Sequence, residues 1–339
     1  MTVATLGIAT GTEAILSTEL ASGAAAAATE LGLDVRMVPD AAAARGVDLV
    51  LGVGYPLHYP FLSDRTLPCP RVAWLGEPLP PANEGVADTL LRRVPMGRVL
   101  DMSIRIATLS DRRRRPTSLT RWREAAAYAY DRRFNIREHS AAAAAGIDLV
   151  VTSSEQAKSL ARWRIPSRIV PFGYHRVVAG DPVAPSADRD IDLLILATAT
   201  TGVPTRRARI TADTLAALDA SIRVVVVEDG LWGATRTAML RRARIVLNVH
   251  RVPGNFTGIR TMLAAAAGAV VVSEPVTDPL PFTPGVHYVE ADPPELAAAV
   301  RELLGAPARR IAIAGAGQEF VLEQVTMRQS MERLLGPMQ

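Results

Sequence analysis

The sequence predicts an α/β protein built from two doubly wound, Rossmann-like domains that face each other. Three observations carry that expectation. Short apolar, β-branched runs alternate with alanine-rich segments along most of the chain. One helix-to-strand turn keeps returning, as RGVDLVLGVG, AGIDLVVTSS and RARIVLNVH. The length, 339 residues, is long for one hydrophobic core and comfortable for two.

The elements follow in order. Val3 to Ala9 reads as the first strand and Glu13 to Leu31 as a helix, which Gly32 ends before a strand from Leu33 to Val38. Another helix is expected before the strand Asp48 to Val53, and the same phrase gives a strand from Asp148 to Thr152. Between Gly180 and Arg189 the segment GDPVAPSADR has two prolines and no periodicity, which marks a domain boundary. Beyond it come strands at Ile191 to Ala197, Ile222 to Val227, Arg244 to Val249, Ala269 to Ser273 and Val286 to Glu290. The helices between them are followed by one from Pro293 to Leu304 and a mostly helical stretch from Ala308 to Leu335. Apolar strands alternating with helices imply parallel sheets covered on both faces. The expected domains are 1–182 and 189–315, with 316–339 as a terminal helix that crosses back to the first domain.

Composition narrows the function classes. With 49% hydrophobic and 21% charged residues the chain is globular rather than disordered. Its single cysteine, Cys69, has no internal disulfide partner and no zinc-type spacing, which suits a reducing, cytoplasmic setting. The opening MTVATLGIATGTEA lacks the cationic and apolar regions of a signal peptide, and no apolar run is long enough to suggest a membrane span. The net charge of +4 is concentrated visibly between Arg112 and Arg137. That stretch reads as a solvated face, or as a surface for anionic lipid head groups at the inner membrane face or for a phosphorylated acceptor. Sparse aromatics and the lack of a readout motif argue against nucleic acid.

When two doubly wound domains face each other, ligands sit in the cleft at the strand carboxyl ends. In RARIVLNVHRVPGNFTGIRTMLAAAAGAVVVSE a strand ends in Asn248 and His250. A glycine-containing loop then leads to Gly258 and a helix with Arg260 in its first turn. Glycines allow close backbone approach, free N–H groups at a helix start hold phosphate, and an arginine adds a charge-assisted contact. This set suits a diphosphate, although Arg260 can equally lie on the surface and His250 in the core. LILATATTGVPTRRARI places Thr200, Thr201 and Gly202 after a strand and Arg206 and Arg207 at a helix start, without a P-loop lysine or a GxGxxG pattern. One of the two arginines is expected to face ligand. Ser273 and Glu274 end the strand AVVVSE. Glu274 can grip the vicinal hydroxyls of a sugar or ribose, or can cap the turn before Pro275. In the first domain, His58 in GYPLHYP and Glu77 in WLGEPLPP are the groups with position and chemistry for an acid–base role. His139 and His175 are weaker candidates. No DxD follows an apolar strand, so no metal site is expected.

The second domain resembles bacterial glycosyltransferases of the GT-B fold, in particular the group related to spore-maturation glycosyltransferase-like proteins. The resemblance spans roughly Asp192 to Leu335 and rests on LILATATTGVPTRR, RARIVLNVH and GIRTMLAAAAGAVVVSE in that order. PFTPGVHYVEADPPELAAAV and IAIAGAGQEFVLEQVTMRQSMERLL follow. The first domain adds WLGEPLPP, AGIDLVVTSSEQ and VPFGYH. The resemblance implies a nucleoside diphosphate sugar held by the second domain, a hydroxyl acceptor, small or lipid-linked, received by the first, and no metal requirement. Relatives commonly carry a glutamate where this chain has Leu263, and an acidic residue near Thr257. The competing expectations are a non-catalytic GT-B-like partner of another glycosyltransferase, or a nucleotide-sugar epimerase. The missing fingerprint argues against an NAD-dependent enzyme.

Overall fold

The computed structural model describes residues 3–10, 15–54, 60–64, 66–76, 79, 139–196, 206–227, 231–250, 254 and 258–336. The first lobe carries β1 (Thr5–Ala9), α1 (Ile15–Glu30), β2 (Asp34–Val38), β3 (Leu49–Gly54), β4 (Arg71–Leu75), β5 (Asp148–Val151), α2 (Ser154–Arg162), β6 (Arg168–Ile169) and the single turn α3 (Arg176–Ala179). The second carries β7 (Ile191–Leu196), α4 (Arg206–Ala216), β8 (Val224–Val227), α5 (Gly233–Arg242), β9 (Ala243–Asn248), α6 (Ile259–Ala266), β10 (Val270–Ser273) and β11 (Val289–Glu290). Three further helices close the chain: α7 (Leu296–Gly305), α8 (Pro307–Glu323) and α9 (Met327–Leu335).

Each lobe is built on one parallel sheet. The orders are β2-β1-β3-β4-β5-β6 and β11-β10-β9-β7-β8. In both, the second strand lies outside the first and the chain then winds in the other direction. The expected pair of doubly wound, Rossmann-like lobes is therefore present. Strand residues alternate between two buried faces: Leu49, Leu51 and Val53 join one apolar cluster while Val50 joins another. The same happens in β9, where Ile245 and Leu247 turn away from Val246. Burial of both faces is why these strands read as continuous apolar runs.

The returning sequence phrase has a physical basis at both of its halves. Its glycine takes a left-handed conformation that other residues rarely adopt: Gly46, before β3, has φ +81°, and Gly146, before β5, has φ +78°. Its aspartate ties strand starts together. The Asp48 carboxylate accepts from the N–H groups of Ala4 and Thr5, both at 2.8 Å, and Asp148 pairs with Arg168 at 2.5 Å.

Three expectations change in detail. The helix expected ahead of β3 is a run of turns over residues 39–46, fastened by the Asp40 carboxylate to the Ala43 N–H at 2.9 Å. Too few residues separate Pro39 from Gly46 to repay helix nucleation. The strand expected from Val286 shrinks to Val289–Glu290, because residues 283–288 close a turn through Gly285 N–H to Tyr288 O at 2.7 Å. The Pro293 to Leu304 helix begins instead as a 3₁₀ turn, Pro293–Glu295, before α7.

The end of the chain returns to the first lobe. α8 packs on α6, then Tyr174 and Thr326 form a parallel bridge, with Tyr174 N–H to Val325 O at 2.6 Å and Met327 N–H to Tyr174 O at 2.7 Å. Gly173 makes the approach possible, since a Cβ on it would sit 2.1 Å from the Thr326 carbonyl carbon. α9 starts with a capping box between Thr326 and Gln329 and lays Met327, Met331 and Leu334 on the small side chains of α1. Gly23 of α1 likewise admits Val178 of α3, whose Cγ2 would be 2.5 Å from an added Cβ. One apolar cluster thus runs through both lobes, from Leu6 and Trp74 to Val246 and Met262.

Polar contacts add to this interface. Glu19 of α1 takes Arg236 of α5 at 2.5 Å and also accepts the Gly233 N–H at the start of that helix, while Arg236 donates to Val178 O at 2.8 Å. Ser154, at the start of α2, donates to Asp278 in the loop after β10. No helix among the described residues is long and apolar enough to cross a membrane.

Candidate functional site

In the second lobe the winding direction reverses between β7 and β9. The carboxyl ends of strands at such a reversal open a crevice that neighbouring loops can line. Arg206 opens α4 there; Asn248 ends β9, and Ser273 ends β10 in direct register with it. Arg260 lies in the first turn of α6. These residues form one hydrogen-bonded network.

Glu274 is at its centre. Its side chain is only 3% exposed, and Arg206 meets it end-on, Nη1 to Oε1 at 3.0 Å and Nη2 to Oε2 at 2.5 Å. The His250 N–H donates to Oε1 at 2.5 Å, and Arg206 Nη1 also reaches the His250 carbonyl at 3.4 Å. Desolvating a carboxylate is costly, and here a bidentate arginine and a backbone N–H offset that cost.

A second branch fixes Arg260. Its Nη1 donates to Asn248 Oδ1 at 2.6 Å, which orients the amide so that Nδ2 donates to Ser273 Oγ at 3.1 Å. Ser273 Oγ also lies 3.1 Å from His250 Nε2 and 3.0 Å from the Glu274 carbonyl. Asn248, His250 and Ser273 are all buried. Burial lowers the His250 pKa to about 4, the nearby Arg260 and Arg206 charges add to the effect, and Glu274 opposes it. The imidazole is therefore neutral at pH 7.

This has a consequence for stability. An unfolded histidine takes its proton near the ordinary 6.5, whereas the folded His250 resists until about 4. Across that window the folded state binds fewer protons, so stability falls as pH falls. The expected loss between pH 7 and pH 5 is about 2 kcal/mol. Urea unfolding of the native chain and of His250→Gln at both pH values measures it as the difference between their slopes. Parallel slopes would show that His250 is not held neutral.

α6 begins at Ile259 after Gly258, whose left-handed φ of +75° makes the sharp entry. The N-cap residue, Gly258, offers no side chain to cap the helix, and this end carries the positive pole of the helix dipole. Gly258, Arg260 and Arg206 thus stand around one crevice, with His250 uncharged beside them. Arg207 is the next residue of α4 and lies about 100° further round that helix.

The other expected residues divide clearly. His58, Glu77, Thr200, Thr201 and Gly202 lie outside the described residues, as does the segment from Arg112 to Arg137. His175 caps α3 through Nδ1, which accepts the Val177 N–H at 3.2 Å, while Nε2 faces Glu30 at 3.2 Å. His139 is buried at 2%. Leu263 is 5% exposed and belongs to the apolar cluster that runs through both lobes. Among the described residues no group of three or more His, Cys, Asp or Glu is placed to hold a metal.

Sequence reading did not foresee the Arg206–Glu274 pair, nor the Asn248 bond that aims Arg260. No local pattern links residues 68 positions apart. That Arg206 opens the helix after one strand while Glu274 directly follows another was the available signal.

Two parallel-sheet Rossmann-like lobes, with the terminal helix returning to the first, make this a GT-B architecture. The family model described as "Glycosyl transferase-like" matches residues 194–336, the lobe that contains the network. Among solved structures, HepE of Anabaena in complex with UDP-glucose superimposes with a TM-score of 0.61 at 12% identity, over 98% of this chain and 99% of that one. Sucrose-phosphate synthase of Thermosynechococcus elongatus gives a TM-score of 0.54 at 14% identity, over 97% of each chain. At these identities the likeness is one of fold. No curated protein matches the chain by sequence.

Proposed function

We propose that this chain is a glycosyltransferase that moves a sugar from a nucleoside diphosphate sugar to a hydroxyl acceptor without a metal ion. The observation that carries the reading is the pair of arginines, Arg206 and Arg260, tied to buried partners beside the start of α6. Fixed cations and a helix start are what a departing diphosphate needs. They stabilise charge that grows as the anomeric C–O bond breaks, with no reorganisation at the moment of reaction. The acceptor oxygen forms the new bond to the anomeric carbon, and its proton passes to a base in the first lobe, His58 or Glu77. Thr200, Thr201, Gly202 and Arg207 complete the donor side in this reading. His250, being neutral there, adds no charge to the site. The likeness to the spore-maturation group belongs to the same proposal.

Leu263 supports a second reading, a non-catalytic partner protein, because it puts an apolar core residue where relatives of this type carry a carboxylate. One experiment separates the two. Calorimetric titration with UDP, GDP, dTDP and ADP, with and without magnesium, is followed by a sugar-transfer screen using the nucleotide that binds. UDP heads the series because the fold relative HepE holds UDP-glucose. Saturable binding indifferent to magnesium, followed by transfer, is expected. Binding without transfer to any acceptor would favour the partner reading, and no binding at all would count against the glycosyltransferase and put the partner reading first.

A further inference from the structure

Glu274 was expected from the sequence to grip sugar or ribose hydroxyls, and its surroundings suggest a different use. Both carboxylate oxygens are already engaged, by the end of the Arg206 guanidinium and by the His250 N–H, and the side chain is 3% exposed. A guanidinium has five N–H donors. In Arg206, Nη1 gives its two to Glu274 and the His250 carbonyl, and Nη2 gives one to Glu274. The remaining two, on Nε and Nη2, share the long side edge of the fork. That edge is a bidentate match for a phosphate, and the Arg206 side chain retains 27% exposure.

We infer that Glu274 is a positioning residue: it holds Arg206 by one edge so that the other edge is presented to the diphosphate, and it does not itself bind the ribose. The inference rests on the donor-site reading above and deepens it. It makes phosphate, rather than the pentose, the part of the donor that this buried carboxylate serves. The neighbouring branch is built alike, since Asn248 takes one nitrogen of Arg260. The Arg206 guanidinium is held at two points and would otherwise sample many rotamers, so the entropy of aiming it is lost on folding rather than on binding.

The sign of the effect in Glu274→Gln makes a sharp test. Charge alone predicts that removing an anion beside the phosphate site tightens binding of another anion. Loss of the two-point hold predicts the reverse. Inorganic pyrophosphate, UDP and 2′-deoxy-UDP are titrated into the intact chain, into Glu274→Gln, into Arg206→Ala and into the double variant. Thermal unfolding of each checks that it folds, and Glu274→Asp serves if Glu274→Gln does not. We expect Glu274→Gln to weaken all three ligands by a similar factor, about tenfold, as loss of a group that orients a binding side chain does elsewhere. In the Arg206→Ala background the same change should do nothing.

Tighter or unchanged pyrophosphate binding would overturn the inference. So would a loss confined to UDP and spared in 2′-deoxy-UDP, which would make Glu274 a ribose ligand while leaving the glycosyltransferase reading intact. Pyrophosphate binding with no nucleotide binding would sink the nucleotide-sugar reading and leave the pyrophosphate comparison to decide the role of Glu274. Failure of all three ligands to bind the native chain would overturn both.

Discussion

Arg260→Ala is expected to lower the affinity for the bound nucleoside diphosphate by about a hundredfold, or about 3 kcal/mol. The size follows from where the side chain sits. Its Nη1 is held by Asn248 Oδ1 at 2.6 Å, so the guanidinium is already ordered before any ligand arrives. Asn248 is itself locked by Ser273, and all of this lies at the start of α6, where the helix dipole adds to the positive potential. Alanine removes the charge and leaves the buried Asn248 oxygen without that partner. Calorimetric titration of Arg260→Ala with the nucleotide that binds the native chain reads the effect. An affinity within threefold of the native value would place the anion elsewhere. Asn248→Ala should show part of the same loss, because Arg260 keeps its charge but loses its aim.

The second large effect concerns the joint between the lobes. Arg236→Ala is expected to destabilise the chain by about 3 kcal/mol, because breaking a buried ion pair strands the remaining charge. The Arg236 side chain is 4% exposed and Glu19 is 14% exposed. Removing the arginine takes one partner from the Glu19 carboxylate, leaving it the Gly233 N–H, and also takes the donor from the Val178 carbonyl. Urea unfolding measures the change. Glu19→Gln combined with Arg236→Met should recover part of it, since two apolar or neutral groups need no mutual partner. A loss in Arg236→Ala below about 1 kcal/mol, the usual value for an exposed pair, would mean that the contact is not buried in solution. Because Glu19 belongs to α1 and Arg236 to α5, the same variant tests whether the lobes are held in their present relation by this pair or by the shared apolar cluster alone.

Much of the architecture is legible in the sequence. The alternation of apolar strands with alanine-rich helices, and the glycines Gly32 and Gly268 that close α1 and α6, are local consequences of backbone conformation and side-chain size. Strands β7, β9 and β10 fall within a residue or so of their expected limits, and α6 starts where the glycine loop was expected to deliver it. The segment over 39–46 shows the limit of local reading. Its alanines favour a helix, but the turns hold because so few residues separate two breaking positions.

What the sequence by itself determined was the kind of fold, the strand ends and the residue types brought to them, because those depend on patterns a few residues long. What only the tertiary structure decided was pairing across distance. Arg206 and Glu274 meet because α4 follows β7 while Glu274 follows β10, two strands away in the sheet. Glu19 and Arg236 meet because Gly23 of α1 lets α3 pack closely against it, and α3 packs in turn on α5. The free energy of such pairs depends on burial and on the direction of a fork of donors. Neither is encoded by spacing, and both exist only once the two sheets and their helices have packed.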